Sequence, residues 1–372
     1  MLKLSIHPQW QLIKAGQSHA LPRLLELLRA IDVEGGIAAA AARRGISYRH
    51  AWGIIRHASR EFGAPLLEMS RGRRAVLSAL GAKLVAADLR INARIAPLLD
   101  SLASELEAEI ERARPGSESI PRVHASHGYS LELLRDFLLR GDVPLDLKYR
   151  GSMEALASLA GEDCDIASFH VPIGNLQAAA LRFYVKWLDP QRHMLINLST
   201  RRQGIMVAAR NPMQIVSLAD LARPGVRFVN RQFGSGTRIL LDLLLKNERL
   251  DSRRIVGYDS GEFTHSGVAA CVASGMAHAG FGVETGARIF GLDFIPVASE
   301  RYFLICNVDV VESPTIRRIR DTLASKQYQA EAARLAGVDV TQAGTLLTIA
   351  EAFPELPHRN ATLARRAPST VA

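Results

Sequence analysis

The feature that most constrains the fold is a series of short helical patterns, separated by glycines, near the start of the chain. A leucine-rich pattern begins at Pro22, which is a favourable first-turn residue, and Gly35 ends it. An alanine-rich pattern covers residues 37–44, and Ser47 is a suitable N-cap for a third helix over residues 48–62. Two short strand patterns follow. The sequence therefore predicts helix, helix, turn, helix and hairpin, which is the order of a winged helix-turn-helix.

Positive charge is concentrated in the same part of the chain. Residues 1–74 hold twelve lysines and arginines against five aspartates and glutamates. The formal net charge of the whole chain is +9, so the remaining residues are nearly neutral overall. Basic charge packed into one small domain is typical of a protein that binds a polyanion such as DNA. A basic surface that only aids solubility would give the same composition, and charge alone does not separate the two interpretations.

The start of the third helix supplies the residues expected to read DNA, because the first turn of a recognition helix meets base edges in the major groove. Arg49 suits a guanine or a phosphate, and Arg56 suits a phosphate. Arginines at the hairpin tip would lie over the adjacent backbone or minor groove. Trp52 is expected to pack in the core. The predicted DNA-binding residues are Ser47, Tyr48, Arg49, His50, Arg56, Arg71, Arg73 and Arg74.

A long helical pattern, with a polar linker at its end, covers residues 83–119. Its apolar stripe repeats at heptad-like spacings and consists of Ile95, Leu99, Leu102, Leu106 and Ile110. Pro97 interrupts the pattern and should kink the helix or start a new one. The stripe favours dimerisation through this helix over packing against its own domain.

From residue 120 onward, strand and helix patterns alternate, which predicts an α/β domain with mostly parallel sheets and a ligand site at the strands' carboxyl ends. The strand pattern at residues 226–230 leads into a glycine-containing loop, residues 233–238, at the start of a leucine-rich helix. Glycines let the backbone approach a ligand, and the helix start offers unpaired N–H groups at the positive end of its dipole. The loop therefore favours a bound anion over an ordinary turn, with Arg238 as a fixed charge.

Two other helix starts should converge on the same cleft, since each follows a strand of the same domain. One holds Ser126 and His127, and the other holds Arg150 and Ser152. His170 is expected to be mainly structural. The predicted anion-binding residues are Ser126, His127, Arg150, Ser152, Gly234, Ser235, Gly236, Thr237 and Arg238.

Several classes of function find no support in the sequence. The three cysteines, Cys164, Cys271 and Cys306, show neither CxxC pairing nor zinc-ligand spacing. No P-loop or HExxH motif occurs, and no GxSxG motif stands at a strand-to-helix turn, so no metal, cofactor or catalytic residue is predicted. The first residues do not resemble a signal peptide, and no run approaches the ~20 apolar residues that span a bilayer. We therefore expect a cytoplasmic, non-enzymatic protein.

The N-terminal patterns resemble a known family. Residues 21–84, with the run Gly45-Ile46-Ser47-Tyr48-Arg49-His50-Ala51-Trp52, are similar to the ModE-type winged helix-turn-helix, which in turn resembles the LysR-type DNA-binding domain. This resemblance implies a dimer that binds a palindromic operator. The chain departs from the ModE architecture further on, because no duplicated small oxyanion-binding β-domain follows.

Residues 120–340 resemble the type 2 periplasmic-binding-protein-like domain of molybdate- and tungstate-binding proteins, which also occurs fused to molybdopterin-biosynthesis proteins. The resemblance implies two lobes that close around a small anion. Relatives often have an acidic residue where Gly128 stands here, so the identity of the ligand does not transfer. The matching runs are Ser126-His127, Gly151-Ser152, Asp165-Ile166-Ala167, residues 230–238 and residues 268–275.

The sequence thus predicts an α/β multidomain regulator that binds double-stranded DNA, forms a homodimer or higher oligomer, and senses a small anion. That anion is a molybdate- or tungstate-like oxyanion, or a small carboxylate such as formate. Two alternatives remain: a molybdenum-cofactor-related enzyme that uses the helix-turn-helix for protein interaction, and an anion carrier without DNA activity. The predicted domains are residues 1–82 (winged helix-turn-helix), 83–119 (linker and dimerisation helix), 120–345 (two-lobed sensor) and 346–372 (tail).

Overall fold

The computed structural model describes residues 3–14, 17–69, 75–114 and 120–356. Its N-terminal part is a small helical domain with two short hairpins. In chain order its elements are β1 (Gln11–Lys14), β2 (Gln17–Ala20), α1 (Pro22–Glu34), α2 (Ile37–Arg43), α3 (Tyr48–Phe62), β3 (Leu67–Met69) and β4 (Ala75–Leu77). The long helix α4 (Ala79–Arg112) follows.

Local signals set the ends of the helices in this domain. α1 ends at Gly35, whose φ of 71° is left-handed and suits glycine. α3 begins after Ser47, whose hydroxyl accepts a hydrogen bond from the His50 N–H at 3.2 Å. Buried leucines of α1 pack against Ala51 and Ile55 of α3 and form one core. The predicted winged helix-turn-helix is confirmed in its described residues.

α4 is one continuous helix of 34 residues that passes out of the small domain and along the C-terminal domain. It begins after Ser78, whose hydroxyl accepts from the Gly81 N–H at 3.1 Å. The predicted boundary at residue 82 therefore falls inside a helix. Pro97 lies in the helix interior and does not end it.

The C-terminal domain alternates strands and helices around one sheet. Its strands are β5 (Arg122–Ala125), β6 (Asp146–Tyr149), β7 (Ile166–Pro172), β8 (His193–Val207), β9 (Phe228–Arg231), β10 (Gly261–Glu262), β11 (Ala279–Val283), β12 (Asp293–Asn307), β13 (Val338–Asp339) and β14 (Leu346–Thr348). Its helices are α5 (Tyr129–Arg140), α6 (Ser152–Ala160), α7 (Gln177–Leu181), α8 (Gly236–Asn247), α9 (His265–Ala273), α10 (Glu284–Ile289), α11 (Pro314–Ala324), α12 (Lys326–Ala332) and α13 (Ile349–Ala352). Three 3-10 turns also occur, at Ala219–Ala222, Ser252–Arg254 and Val308–Val310.

The sheet order is β10-β9-β11-β8-β12-β7-β5-β6, and β13 and β14 also pair with β8. Strands near each end of the sheet pair in parallel, β5 with β6 and β7, and β9 with β10 and β11. The 15-residue strands β8 and β12 run antiparallel to their neighbours along the middle. The sheet is therefore less parallel than the sequence predicts.

Two lobes share these long middle strands. Lobe 1 has its core among β5, β6, α5, α11 and α12, and lobe 2 has its cores among β9, β11, α8 and α9. Because β8 and β12 contribute to the cores of both lobes, they are the connections about which the lobes would move. The predicted fold class, a helix-turn-helix joined by a helix to a two-lobed α/β domain, is confirmed.

The tail begins later than predicted. Residues 346–348 form β14 against β8, and Phe353 is fully buried beside Phe169 and Phe303. The first part of the predicted tail is therefore built into the C-terminal domain, and residues 357–372 lie outside the described residues. Cys164, Cys271 and Cys306 are buried and free. Within the described ranges, no helix is long and apolar enough to cross a membrane.

Candidate DNA-binding face and candidate anion site

α3 presents a basic face to solvent. Tyr48, Arg49, His50 and Arg56 are all exposed along it. Among the described residues, neither Arg49 nor Arg56 has an ion-pair partner, so both guanidinium charges face solvent. The arginines just before the turn differ, since Arg43 pairs with Glu34 and Arg44 pairs with Glu26. The unpaired charge therefore lies on α3, where a recognition helix needs it.

Ser47 and Trp52 differ from the rest of this face. The Ser47 hydroxyl caps α3 and is already a hydrogen-bond acceptor, although the residue is exposed. The prediction that Trp52 packs in the core is wrong, because its side chain is 37% exposed on the same face as Arg49 and Arg56. Arg71, Arg73 and Arg74 of the hairpin tip lie outside the described residues.

The glycine-containing loop reaches across to lobe 1. Gly234 has a left-handed φ of 79°, which favours glycine, and α8 starts two residues later. A Cβ at Gly236 would lie 3.0 Å from the His170 Cβ and 3.2 Å from the Ser152 Oγ, so only glycine fits without displacing neighbours. α8 therefore begins directly beside lobe 1, with the backbone N–H groups of Gly236 and Thr237 in its first turn.

Lobe 1 meets this helix start with a cluster of buried polar groups. The Ser126 and Ser152 hydroxyls lie 3.2 Å apart, and the Ser152 Oγ lies 3.2 Å from the His170 Nδ1. The His170 ring stacks on Tyr302 at 3.9 Å between centroids, and its Nε2 has no partner among the described residues. Burial, together with the charges on Arg201 and Arg231, holds the pKa of His170 well below its ordinary value, so the ring is neutral.

Two buried arginines supply positive charge to this cluster. The Arg201 Nε donates to Glu300 at 2.6 Å, and the Gln203 amide bridges Glu300 at 2.7 Å and the Thr237 hydroxyl at 2.9 Å. Among the described residues, the Arg231 guanidinium donates to two backbone carbonyls, from its Nε to Glu262 at 3.2 Å and from its Nη2 to Phe263 at 2.7 Å.

Arg231 is therefore a buried cation without a direct ion pair. No described carboxylate lies within ion-pair distance of it, the charge of Glu300 acts on it from further away, and the residue is only 4% exposed. Burial and the nearby charge of Arg201 lower the pKa of Arg231 to about 9. A guanidinium in this position costs free energy that a bound anion would offset.

Four predicted anion-binding side chains have partners within the described structure, and their role in anion binding stays a prediction. The Arg238 guanidinium donates to Asp242 at 3.0 Å and to the Tyr258 carbonyl at 2.9 Å. Arg150 is exposed, lies just before α6 and pairs with Glu154 in the first turn of that helix. The His127 Nε2 lies 2.5 Å from Glu132, and the Ser235 hydroxyl caps α8 by accepting from the Arg238 N–H.

Sequence reasoning missed the arginines that do face the cluster. Arg231 adjoins the predicted loop, and its place at the carboxyl end of a strand was an available signal. Arg201, Gln203 and Glu300 lie on the paired strands β8 and β12, where Arg201 stands opposite Glu300. That pairing joins residues far apart in sequence, and no local pattern indicates it.

The chain is similar to several known proteins. Residues 137–324 match the PBP superfamily domain, and residues 22–82 match the bacterial regulatory helix-turn-helix protein, lysR family. The uncharacterized protein YvgK of Bacillus subtilis (strain 168) is 29% identical over 248 residues, which are 66% of this chain and 79% of that protein. An uncharacterized protein in the ferredoxin 2Fe-2S gene 5' region of Clostridium pasteurianum is 32% identical over 111 residues, which are 30% of this chain and 98% of that protein. The solved structure of CbnR, a LysR family transcriptional regulator, is 17% identical with a TM-score of 0.37, covering 81% of this chain and 98% of CbnR.

Proposed function

The chain belongs to the PBP superfamily and carries a regulatory helix-turn-helix of the lysR family, and we propose that it is a transcriptional regulator whose two C-terminal lobes close on a small anion. The exposed arginines of α3 would contact operator DNA. The buried cluster between Ser152, Gly236 and Arg231 would hold the anion. A regulator of this kind works in the cytoplasm and needs no catalytic residue.

One observation carries the anion proposal, namely the unpaired guanidinium of Arg231 beside Arg201. An anion there would pair with Arg231 and accept hydrogen bonds from the serine hydroxyls of lobe 1 and from the N–H groups at the start of α8. Donors would thus come from both lobes, so the anion would stabilise the closed arrangement over an open one.

A tetrahedral oxyanion such as molybdate or tungstate is our first candidate, since donors from several directions suit four oxygen atoms better than two. The resemblance to molybdate- and tungstate-binding domains and the ModE-like run in α3 support the same choice. A small carboxylate such as formate is the second candidate. The charge balance favours it, because Glu300 neutralises Arg201 and leaves the single charge of Arg231 for a monoanion.

α4 supports the proposal of a homodimer. Leu98, Leu102 and Leu106 follow one another at four-residue spacing, and their side chains are 61%, 45% and 43% exposed. A contiguous exposed leucine stripe on a long helix is typical of a surface that pairs with another helix. A second copy of α4 would cover it, and a dimer suits a palindromic operator.

A thermal-shift screen of the purified chain tests the anion proposal with molybdate, tungstate, sulfate, phosphate, formate and acetate. Ligand at about 100 times its dissociation constant should add about 2.7 kcal/mol of stability. The response should disappear in Arg231→Gln and persist in Arg238→Gln, whose guanidinium is engaged by Asp242. A response that is lost in Arg238→Gln but kept in Arg231→Gln would place the anion elsewhere.

Selection of bound DNA from a random duplex pool tests the proposal of DNA binding, because an anion carrier or an enzyme would select no DNA sequence.

A further inference from the structure

The helix α4 is attached to both lobes of the C-terminal domain. On lobe 1, the Ser101 Oγ accepts from the Tyr149 N–H at 3.1 Å. The Ser104 Oγ donates to the Leu145 carbonyl at 2.8 Å and accepts from the Leu147 N–H at 2.9 Å. Further ion pairs fix the same part of α4, namely Arg112 to Asp146, Glu107 to Arg135 and Glu105 to Lys148.

Lobe 2 holds a different part of the same helix, about two turns earlier. The Arg94 Nε lies 3.0 Å from both carboxylate oxygens of Glu262, whose side chain is only 7% exposed. The Thr264 hydroxyl, which caps α9, donates to the Ala93 carbonyl at 3.0 Å. α9 also packs along α4 at this point.

Pro97 lies between the two attachments and explains the second one. A proline has no N–H, so the carbonyl four residues earlier loses its helical hydrogen bond. That carbonyl belongs to Ala93, and it is the atom that Thr264 reaches. The proline thus creates the acceptor that lobe 2 uses. It also removes a hydrogen bond at the place where the helix would have to bend.

The segment that holds α4 on lobe 2 also holds the buried cation of the anion site. The carbonyls of Glu262 and Phe263 accept from Arg231, while the side chains of Glu262 and Thr264 contact α4. Arg231 and Glu262 are moreover direct partners in the pairing of β9 with β10. One three-residue segment therefore touches the anion site with its backbone and α4 with its side chains.

We propose that residues 262–264 relay anion binding at Arg231 to α4, and that α4 bends at Pro97 when the lobes close. Residues 79–94 would move with lobe 2 and carry the helix-turn-helix, whose core includes Val85 of α4. Residues 101–112 would stay with lobe 1. This proposal rests on the proposed function, since it supplies the step between the anion site and the DNA-binding face.

The experiment measures distances between pairs of spin labels in the 372-residue chain by pulsed electron paramagnetic resonance. Labels at Lys83→Cys and Asp321→Cys report α4 against lobe 1, and labels at Lys83→Cys and Asn247→Cys report α4 against lobe 2; all three positions are exposed. The probes are molybdate and formate, and their binding is read separately from the melting temperature. The variants are Pro97→Ala, Arg94→Ala and, as a milder change, Arg94→Lys.

Arg112→Ala is the matched control. The side chains of Arg112 and its partner Asp146 are 43% and 8% exposed, and those of Arg94 and Glu262 are 46% and 7% exposed. The Arg112 pair joins α4 to lobe 1, where the bonds of Ser101 and Ser104 remain when it is removed. We expect Pro97→Ala to narrow the distance distribution to lobe 1, with or without anion, because the restored N–H stiffens the helix. Arg94→Ala should broaden the distribution to lobe 2, Arg94→Lys should do so less, and Arg112→Ala should leave it unchanged.

Added anion should shift the distance to lobe 1 in the wild type and not in Pro97→Ala, while both still gain thermal stability. Distributions that are the same in Pro97→Ala, Arg94→Ala and the wild type would overturn the relay, whether or not an anion binds. Absence of any thermal response to molybdate and formate would count against the proposed ligand alone. The widths of the distance distributions, compared between the variants and the wild type without anion, would still test whether α4 bends at Pro97.

Discussion

Replacement of Arg231 by methionine should make the anion-free protein more stable, although it removes a buried residue with two hydrogen bonds. Burial and the charge of Arg201 lower the pKa of Arg231 from its ordinary value to about 9. At about 1.36 kcal/mol for each pKa unit, this difference corresponds to about 5 kcal/mol against the charged side chain in the folded state. Loss of the two bonds to the Glu262 and Phe263 carbonyls costs about 3 kcal/mol in total. We therefore expect a net gain of about 2 kcal/mol in the free energy of unfolding.

The sign follows from proton linkage. The unfolded chain holds the Arg231 proton more tightly than the folded chain, so folding is penalised wherever the unfolded side chain is charged. The penalty is fully present below pH ~9 and is relieved as the pH rises from about 9 toward the ordinary pKa of an arginine. An assay at pH 7 to 8 therefore measures the whole effect.

Thermal and urea unfolding of wild type and Arg231→Met, with and without the anion found in the screen, are the assays. A gain of about 2 kcal/mol corresponds to roughly 4–8 °C in melting temperature for a domain of this size. Saturating anion should then raise the wild type toward or above the variant and leave the variant unchanged. Arg238→Met, whose guanidinium already has Asp242, should lose stability and keep its anion response. A variant clearly less stable than the wild type without anion would refute the reasoning, since it would mean that Arg231 is already neutralised.

Other consequences can be measured in the same preparations. Arg49→Ala should weaken binding to selected DNA and reduce the slope of log affinity against log salt by about 0.9 if one phosphate contact is lost, with the anion response unchanged. Leu102→Glu should raise the dimer dissociation constant, measured by light scattering, by at least about 100-fold. Each of the two leucines in a dimer would lose about 1.5 kcal/mol of apolar burial. A molecular mass that is unchanged from the wild type would place the interface elsewhere. Gly236→Ala would crowd His170 and Ser152 at a cost of about 1–3 kcal/mol, so the anion affinity should fall by about fivefold or more. An unchanged affinity would mean that the lobes do not close at this glycine.

Local signals made the N-terminal domain predictable from sequence. The cap at Ser47 and the glycine that ends α1 act within a few residues, so they can be read without knowing any tertiary contact. Trp52 was misplaced because its position on α3 depends on which side of the helix meets the rest of the core. Pro97 was expected to kink α4 or to start a new helix; α4 continues through it, and the helix contacts lobe 2 before the proline and lobe 1 after it.

The charges of the anion site were harder to predict, because they depend on strand pairing. Arg238 looked like the cation of the loop, yet it lies one helical turn before Asp242 and pairs with it, an i to i+4 arrangement that the sequence already contains. Arg201 and Glu300 meet only through the register of β8 with β12. The pairing of β9 with β10 similarly sets Arg231 beside Glu262. The loop at residues 233–238 could thus be located from sequence, while the charged side chains that lie near it could not.

The charge imbalance at Arg231 gives an anion a means to favour one arrangement of the lobes. A ligand must favour one state by about 5.5 kcal/mol to move a two-state equilibrium from 1:99 to 99:1. The cost of burying the charged Arg231 beside Arg201 is about 5 kcal/mol relative to the unfolded chain. On the proposed function, the part of this cost that arises on lobe closure is the part that an anion paired with Arg231 would offset. Neutral ligands of the same size would leave the cost in place, so the site would select by charge before it selects by shape.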